Sequence, residues 1–183
     1  MVLLIGIGGF LLFFLSDWND LHWGRKGLRF CFPLGAALLT GATAAACCQG
    51  SAPVVGGLRA AAGVLALIFL ALEVYALFFA LPPKASYTAP GERRETRAAG
   101  VYALCRHPGV LFFVPLYICL WIGFGLPPLH VTVYVLLDVL LVVYEDFRVF
   151  PAVLEGYGDY RKQAPFLIPN SASLRACLRR ENK

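Results

Sequence analysis

Apolar residues fill five stretches of the chain, divided by short polar or proline-rich breaks. Crossing ~30 Å of hydrocarbon takes about 20 apolar residues in a helix. Measured against that length, the pattern predicts spans over residues 2–15, 28–48, 54–81, 109–126 and 129–150, followed by a tail over 151–183. The first stretch is short, but Trp18 and Trp23 just beyond it suit a membrane interface. It has no basic segment before it and no small-residue cleavage site, so it reads as a retained helix and not as a signal peptide. Pro33 falls near the start of the second span, where a missing N–H does least harm. Pro127 and Pro128 leave room only for a tight hairpin between the last two spans. The expected fold is therefore all-α, a single multi-pass helical membrane domain of about five transmembrane helices.

Composition narrows the alternatives. With 59% hydrophobic and 15% charged residues and a mean hydropathy of +0.70, the 183-residue chain has too little charge for a soluble domain and too much apolar surface for a disordered one. Six cysteines (Cys31, Cys47, Cys48, Cys105, Cys119, Cys177) are scattered with no CxxC or paired spacing, so neither a disulfide framework nor a zinc site is expected, and no metal is called for. Cys177 is followed by six residues and is not a prenylation site.

Laying the spans out alternately sorts the charge. Arg25, Lys26 and Arg29 follow the first span; Lys84, Arg93, Arg94, Arg97 and Arg106 follow the third; Arg148, Arg161, Lys162, Arg175, Arg179, Arg180 and Lys183 come at or beyond the end of the fifth. Only Arg59, at the edge of the third span, lies elsewhere, where it can snorkel outward. By the positive-inside rule the N-terminus is expected outside and the C-terminus in the cytoplasm. The formal charge of +5 then reflects this asymmetry and contact with anionic lipid headgroups. Nucleic-acid binding is the less economical reading, because the basic residues flank spans and form no separate module.

Polar chemistry collects in two cytoplasmic segments, the loop 82–108 ending GVYALCRHP and the tail from Tyr144, YEDFRVFPAVLEGYGDYRKQAPFLIP. The hairpin between them predicts that Arg106, His107 and Pro108 face Glu145, Asp146 and Arg148 at one depth. Pro108 suits the first position of the fourth span, with His107 as its cap, and the helix N-terminus there offers free amides to an anionic group. Pro151 is expected to stop the fifth span. Beyond it Phe150, Tyr157, Tyr160 and Phe166, with Gly158 allowing a tight backbone, suit either a lid over the pocket or a headgroup-anchored tail. His130, Tyr134, Asp138 and Glu145 fall on one face of the fifth span. Asp138, costly in lipid, should face the bundle near Glu73, as a cavity lining, a proton relay or an interhelical hydrogen bond; His130 reads as a loop-end residue.

The combination GxYxxxRHP, short hairpin, acidic pair, YGxY and proline-bounded end resembles the isoprenylcysteine carboxyl methyltransferase family and related phospholipid methyltransferases, over residues 100–169. Arg106, His107 and Pro108 match its RHP; Gly100 and Tyr102 the lead-in; Glu145 and Asp146 the place of its two Glu; Tyr157, Gly158 and Tyr160 its aromatic-glycine segment; Pro165 and Pro169 its end. The chain departs from the pattern at Gly109–Phe112, where the family carries an aromatic residue soon after RHP, and in the longer spacing with Pro151 after the acidic pair.

The resemblance implies a membrane enzyme that transfers a methyl group from S-adenosyl-L-methionine, its cofactor, to a lipophilic acceptor admitted from the bilayer. It implies cofactor contacts from Gly100, Tyr102, Arg106, His107, Pro108, Glu145, Asp146, Tyr157, Gly158 and Tyr160, with His107, Arg106 and Glu145 closest to the chemistry. Methyl transfer from a sulfonium needs positioning and exclusion of water more than covalent help, so Cys105 reads as packing. His107 is open between helix cap, cofactor contact and general base. Two other classes remain: an NADPH-dependent reductase of the sterol-reductase type, gripping phosphate through Arg148, Arg161 and Lys162, and a transporter or assembly partner using Asp138 and Glu73. The absence of an internal repeat counts mildly against transport.

Overall fold

A computed structural model describes residues 1–80 and 93–178. The first part of the loop 82–108, with Lys84, and the terminal Arg179, Arg180 and Lys183 lie outside the described residues. Within them the chain forms five apolar helices: α1 (Val2–Trp18), α2 (Cys31–Gln49), α3 (Gly56–Val74), α4 (Pro108–Phe124) and α5 (Pro128–Tyr144). The tail adds α6 (Tyr157–Gln163) and α7 (Ser171–Leu178). Two short strands, β1 (Arg94–Glu95) and β2 (Leu154–Glu155), pair in parallel and tie the 93–107 segment to the tail.

The all-α membrane architecture follows the hydropathy pattern, but helix ends run further than the apolar stretches. α1 continues through a π turn to Trp23, because Asn19, fully buried, accepts from the Arg25 amide at 2.9 Å and donates to the Arg25 carbonyl at 3.1 Å. α5 likewise continues through a π turn (Glu145–Val149) to Val153. Pro151 therefore does not stop the span. It lies in the last helical turn, and the i→i+5 bond from the Phe150 amide to the Glu145 carbonyl absorbs the mismatch that its missing N–H creates. The helix ends at Leu154, which is extended.

Four helical stretches (Val2–Trp23, Lys26–Gln49, Gly56–Phe79 and Pro128–Val153) are long and apolar enough to cross a membrane. The remaining helix, α4, has 17 residues and a length of about 25 Å. It is also the helix most sheltered by its neighbours, with Val110, Phe112, Phe113, Leu116, Tyr117 and Cys119 all buried. α1 packs along α2, α3 along α4, and α5 against both α1 and α4. The outer face of α3 stays apolar and exposed, from Leu58 through Leu65 and Ile68 to Phe79.

Close approach between helices depends on small residues, since lipid supplies no hydrophobic drive for association. A Cβ on Gly35 of α2 would fall 2.6 Å from the Gly9 carbonyl oxygen of α1, and one on Gly6 would land inside the Tyr134 ring of α5. A buried hydrogen bond of 2.8 Å between the Thr43 and Tyr117 hydroxyls joins α2 to α4. Gly35→Val is expected to cost about 1–3 kcal/mol and to lower the melting temperature in detergent. Gly41→Val, one to two turns along the same helix where a Cβ meets open space, should leave it nearly unchanged; equal losses would contradict the packing.

Candidate functional site

α4 ends on Gly125, whose left-handed backbone (φ +73) turns the chain, and Pro127 and Pro128 start α5 at once. This hairpin returns residue 146 to the level of residues 106 and 107, as its length predicts. Pro108 opens α4 as expected. His107 takes the N-cap position, yet its ring makes no capping bond; it points instead at the two acids at the end of α5.

Asp146, fully buried, is the hub of this end of the bundle. Its Oδ1 accepts from Arg106 Nε at 2.8 Å, from the Tyr157 hydroxyl at 2.5 Å and lies 3.3 Å from His107 Nε2. Its Oδ2 accepts from Arg106 Nη2 at 3.2 Å, with Arg161 Nη2 3.6 Å away. Arg106 spends its Nη1 donors on the tail, at 3.0 Å to the carbonyls of both Arg161 and Ala164, and its own amide donates to the Pro165 carbonyl at 2.9 Å. The RHP segment, the end of α5 and α6 are thus one clasp. Gly156, not Gly158, is the left-handed residue (φ +73) that turns the chain into it; Gly158 lies in α6 facing open space. Gly100 (φ +63) serves the same purpose before the turn that carries Tyr102.

His107 is sandwiched between Phe150 (ring centroids 5.5 Å apart, nearly parallel) and Phe166 (5.2 Å, edge-on). Burial pushes its pKa down to about 4, against the opposing pull of Asp146. The ring is therefore neutral near pH 7 and has one N–H to share between Asp146 and Glu145, whose Oε2 lies 3.5 Å from Nδ1. A group that stays neutral down to about pH 4 is a poor proton acceptor near pH 7.

Glu145 turns the other way, into the bundle. Its side chain is within hydrogen-bonding reach of Asp17 and within electrostatic reach of Asp138, Tyr102 and Asp146. Glu73 and Asp138 are neighbours, as the sequence suggested, and Glu73 also reaches the start of α4: its Oε1 lies 3.5 Å from where a Gly109 Cβ would stand. The oxygen beside the α4 N-terminus thus belongs to one of the chain's own carboxyl groups. Asp17 Oδ2, Glu73 Oε2, Asp138 Oδ2 and the Tyr144 hydroxyl are buried without a hydrogen-bond partner among the described residues. Tyr102 is fixed by its hydroxyl's 3.0 Å bond to the Ala76 carbonyl, and burial pushes it up to about 12. Tyr160 donates to the Tyr102 carbonyl at 2.7 Å, so Tyr157 and Tyr160 both hold the tail down, and burial raises both hydroxyls.

Sequence reading missed Asp17, which the hydropathy break places just outside the first span, and the ion pair between Asp20 and Arg94. The available signal was an acid within one turn of an interfacial tryptophan. Arg148 is exposed and joins no ion pair among the described residues, so it stands apart from the cluster it was expected to face. No family model, curated protein or solved structure matches the chain.

The low pKa of His107 sets a sign. Unfolded, the imidazole titrates near 6.5; folded, it resists protonation down to about 4. Stability from this group is therefore complete above about pH 6.5 and falls as pH drops toward about 4, by up to about 1.4 kcal/mol per unit. Melting curves between about pH 7.5 and about pH 5 should show this loss in the native chain and a smaller one in His107→Gln. The same slope in both would contradict the assignment.

Proposed function

We propose that the chain is an integral membrane methyltransferase that uses S-adenosyl-L-methionine to methylate a lipophilic acceptor at the end of the bundle holding Glu145 and His107. One observation carries the reading: behind the clasp, buried carboxyl oxygens of Asp17, Asp138 and Glu73 have no hydrogen-bond partner and form no ion pair among the described residues, with Asp17 and Asp138 close to Glu145 and Glu73 close to Asp138. Carboxyl oxygens and hydroxyls without donors suit a ligand that brings an ammonium, a sulfonium and ribose hydroxyls, so the residues present fit the cofactor's chemistry. When bound, that cofactor supplies a methyl group on sulfur whose positive charge disperses during transfer.

The chain's own residues then divide the work. Glu145 accepts hydrogen bonds from the donor's polar groups, and Tyr102, held rigid by Ala76, lines the same space. Arg106, Asp146, Tyr157 and Tyr160 keep the tail over the site and exclude water, which strengthens every electrostatic contact beneath. Four of the five N–H donors of Arg106 are engaged in the clasp, so its part is positioning and not capture of a ligand carboxylate. The concentration of basic residues at this end supports its lying on the cytoplasmic side, against anionic headgroups.

The two other classes fare differently. For a reductase, two of the three cations named for phosphate are taken, Arg161 by Asp146 and Lys162 by Asp159 at 2.8 Å. For transport, the orphaned oxygens of Glu73 and Asp138 are the supporting observation.

Equilibrium binding to the purified full chain separates these readings. S-adenosyl-L-methionine is expected to bind saturably, NADPH not to compete, and Glu145→Gln to weaken binding roughly tenfold to a hundredfold, the worth of a charge-assisted hydrogen bond. Incubation with methyl-labelled cofactor and a membrane lipid extract should then label a lipid. No binding of the cofactor, or binding untouched by Glu145→Gln, overturns the proposal; loss of function confined to Asp138 and Glu73 variants would favour transport.

A further inference from the structure

At the end of the bundle remote from Asp146, an open groove of about 370 Å³ is lined by Gly56, Arg59, Ala60 and Gly63 of α3 and by Gly123 and Phe124 at the end of α4. Its walls are apolar apart from one charged group. Arg59 donates from Nε to the Gly123 carbonyl at 3.1 Å, which fixes the guanidinium at the C-terminal end of α4 and leaves both terminal nitrogens without a partner among the described residues. No counter-charge is at hand. The segments that build this end of the bundle carry no Asp or Glu, since none occurs in residues 1–16, 21–72 or 96–137.

A guanidinium with no carboxylate paired to it among the described residues, opening on an apolar groove, matches one kind of molecule: an anion with a hydrocarbon limb. The glycines are what make room. A Cβ on Gly63 would meet only the edge of the Phe124 ring, at 3.7 Å, so the groove is space that a side chain could fill and does not. We propose that this groove is a phospholipid site in the leaflet opposite the Glu145 cluster, with the lipid phosphate paired to Arg59 and an acyl chain laid against Gly63 and the Phe124 ring, beside the close contact of Ala62 with Gly123. The site is independent of the methyl-transfer reading. The orientation of the guanidinium, set by Gly123, suits a two-pronged contact to phosphate oxygens, which an ammonium at this position would not reproduce as well.

Native mass spectrometry of the full chain, purified in mild detergent and supplemented with phosphatidylglycerol, tests this. One phospholipid retained per chain is expected, with retention falling several-fold in Arg59→Gln and in Gly63→Leu, which fills the groove without touching backbone, and falling by a smaller factor in Arg59→Lys, which keeps the charge but not the fork. A parallel sample with inorganic phosphate alone should show no adduct. Retention unchanged in Arg59→Gln, or absent from the native chain, overturns the site; an inorganic phosphate adduct that depends on Arg59 overturns the lipid as its source. Circular dichroism of each variant shows that any loss occurs in a folded protein.

Discussion

A carboxylate removed from water must be paired and hydrogen-bonded or it unfolds what surrounds it, and Asp146 is buried completely. That single constraint organises one end of the molecule. Arg106 supplies two donors, Tyr157 one, and His107 and Arg161 complete the shell, each arriving from a different part of the chain. Satisfying Asp146 therefore requires that the α4–α5 hairpin close, that the segment before α4 run back over the end of α5, and that the tail fold onto both. The parallel pairing of β1 with β2 and the bond from the Arg106 amide to Pro165 follow once those segments are side by side.

The adjacent acid has the opposite fate. Successive residues on a helix diverge by about 100°, so Glu145 cannot share the shell of Asp146 and faces the bundle, toward Asp17, Asp138 and Tyr102. The clasp spends most of its donors, and behind it lie buried carboxyl oxygens of Asp17, Glu73 and Asp138 with no hydrogen-bond partner among the described residues. His107 stands on the boundary between them, neutral and held by two aromatic rings. Two differently directed faces of one cluster are thus built from two consecutive residues at the start of the π turn Glu145–Val149.

Much of this was legible in the sequence. The five apolar helices, though only four are long enough to cross a membrane, the hairpin at Pro127 and Pro128, the convergence of RHP with the acidic pair and the nearness of Glu73 to Asp138 follow from lengths and from the cost of charge in an apolar setting. What escaped depended on tertiary partners. Hydropathy ends α1 before Asp17, whereas the buried Asn19 side chain, satisfied by the Arg25 backbone, carries the helix on to Trp23. Pro151 reads as a stop, and becomes tolerable only because the helix loosens just before it. Arg106 looks like a group free to meet a ligand until its donors are counted against Asp146 and the tail carbonyls. Gly158 is the eye-catching glycine of YGxY, but the backbone turn that matters falls on Gly156, where only the positive φ distinguishes it.

The most direct test of the account is a double-mutant cycle on unfolding free energy with Arg106→Gln, Asp146→Asn and the pair together. Removing one partner of a buried pair costs about 3–5 kcal/mol, and because each single substitution strands the other group, the double variant should be more stable than the sum implies, with a coupling of about 2–3 kcal/mol. Losses that add to within about 0.5 kcal/mol would mean that the two side chains do not depend on one another, and would contradict the clasp on which the site rests.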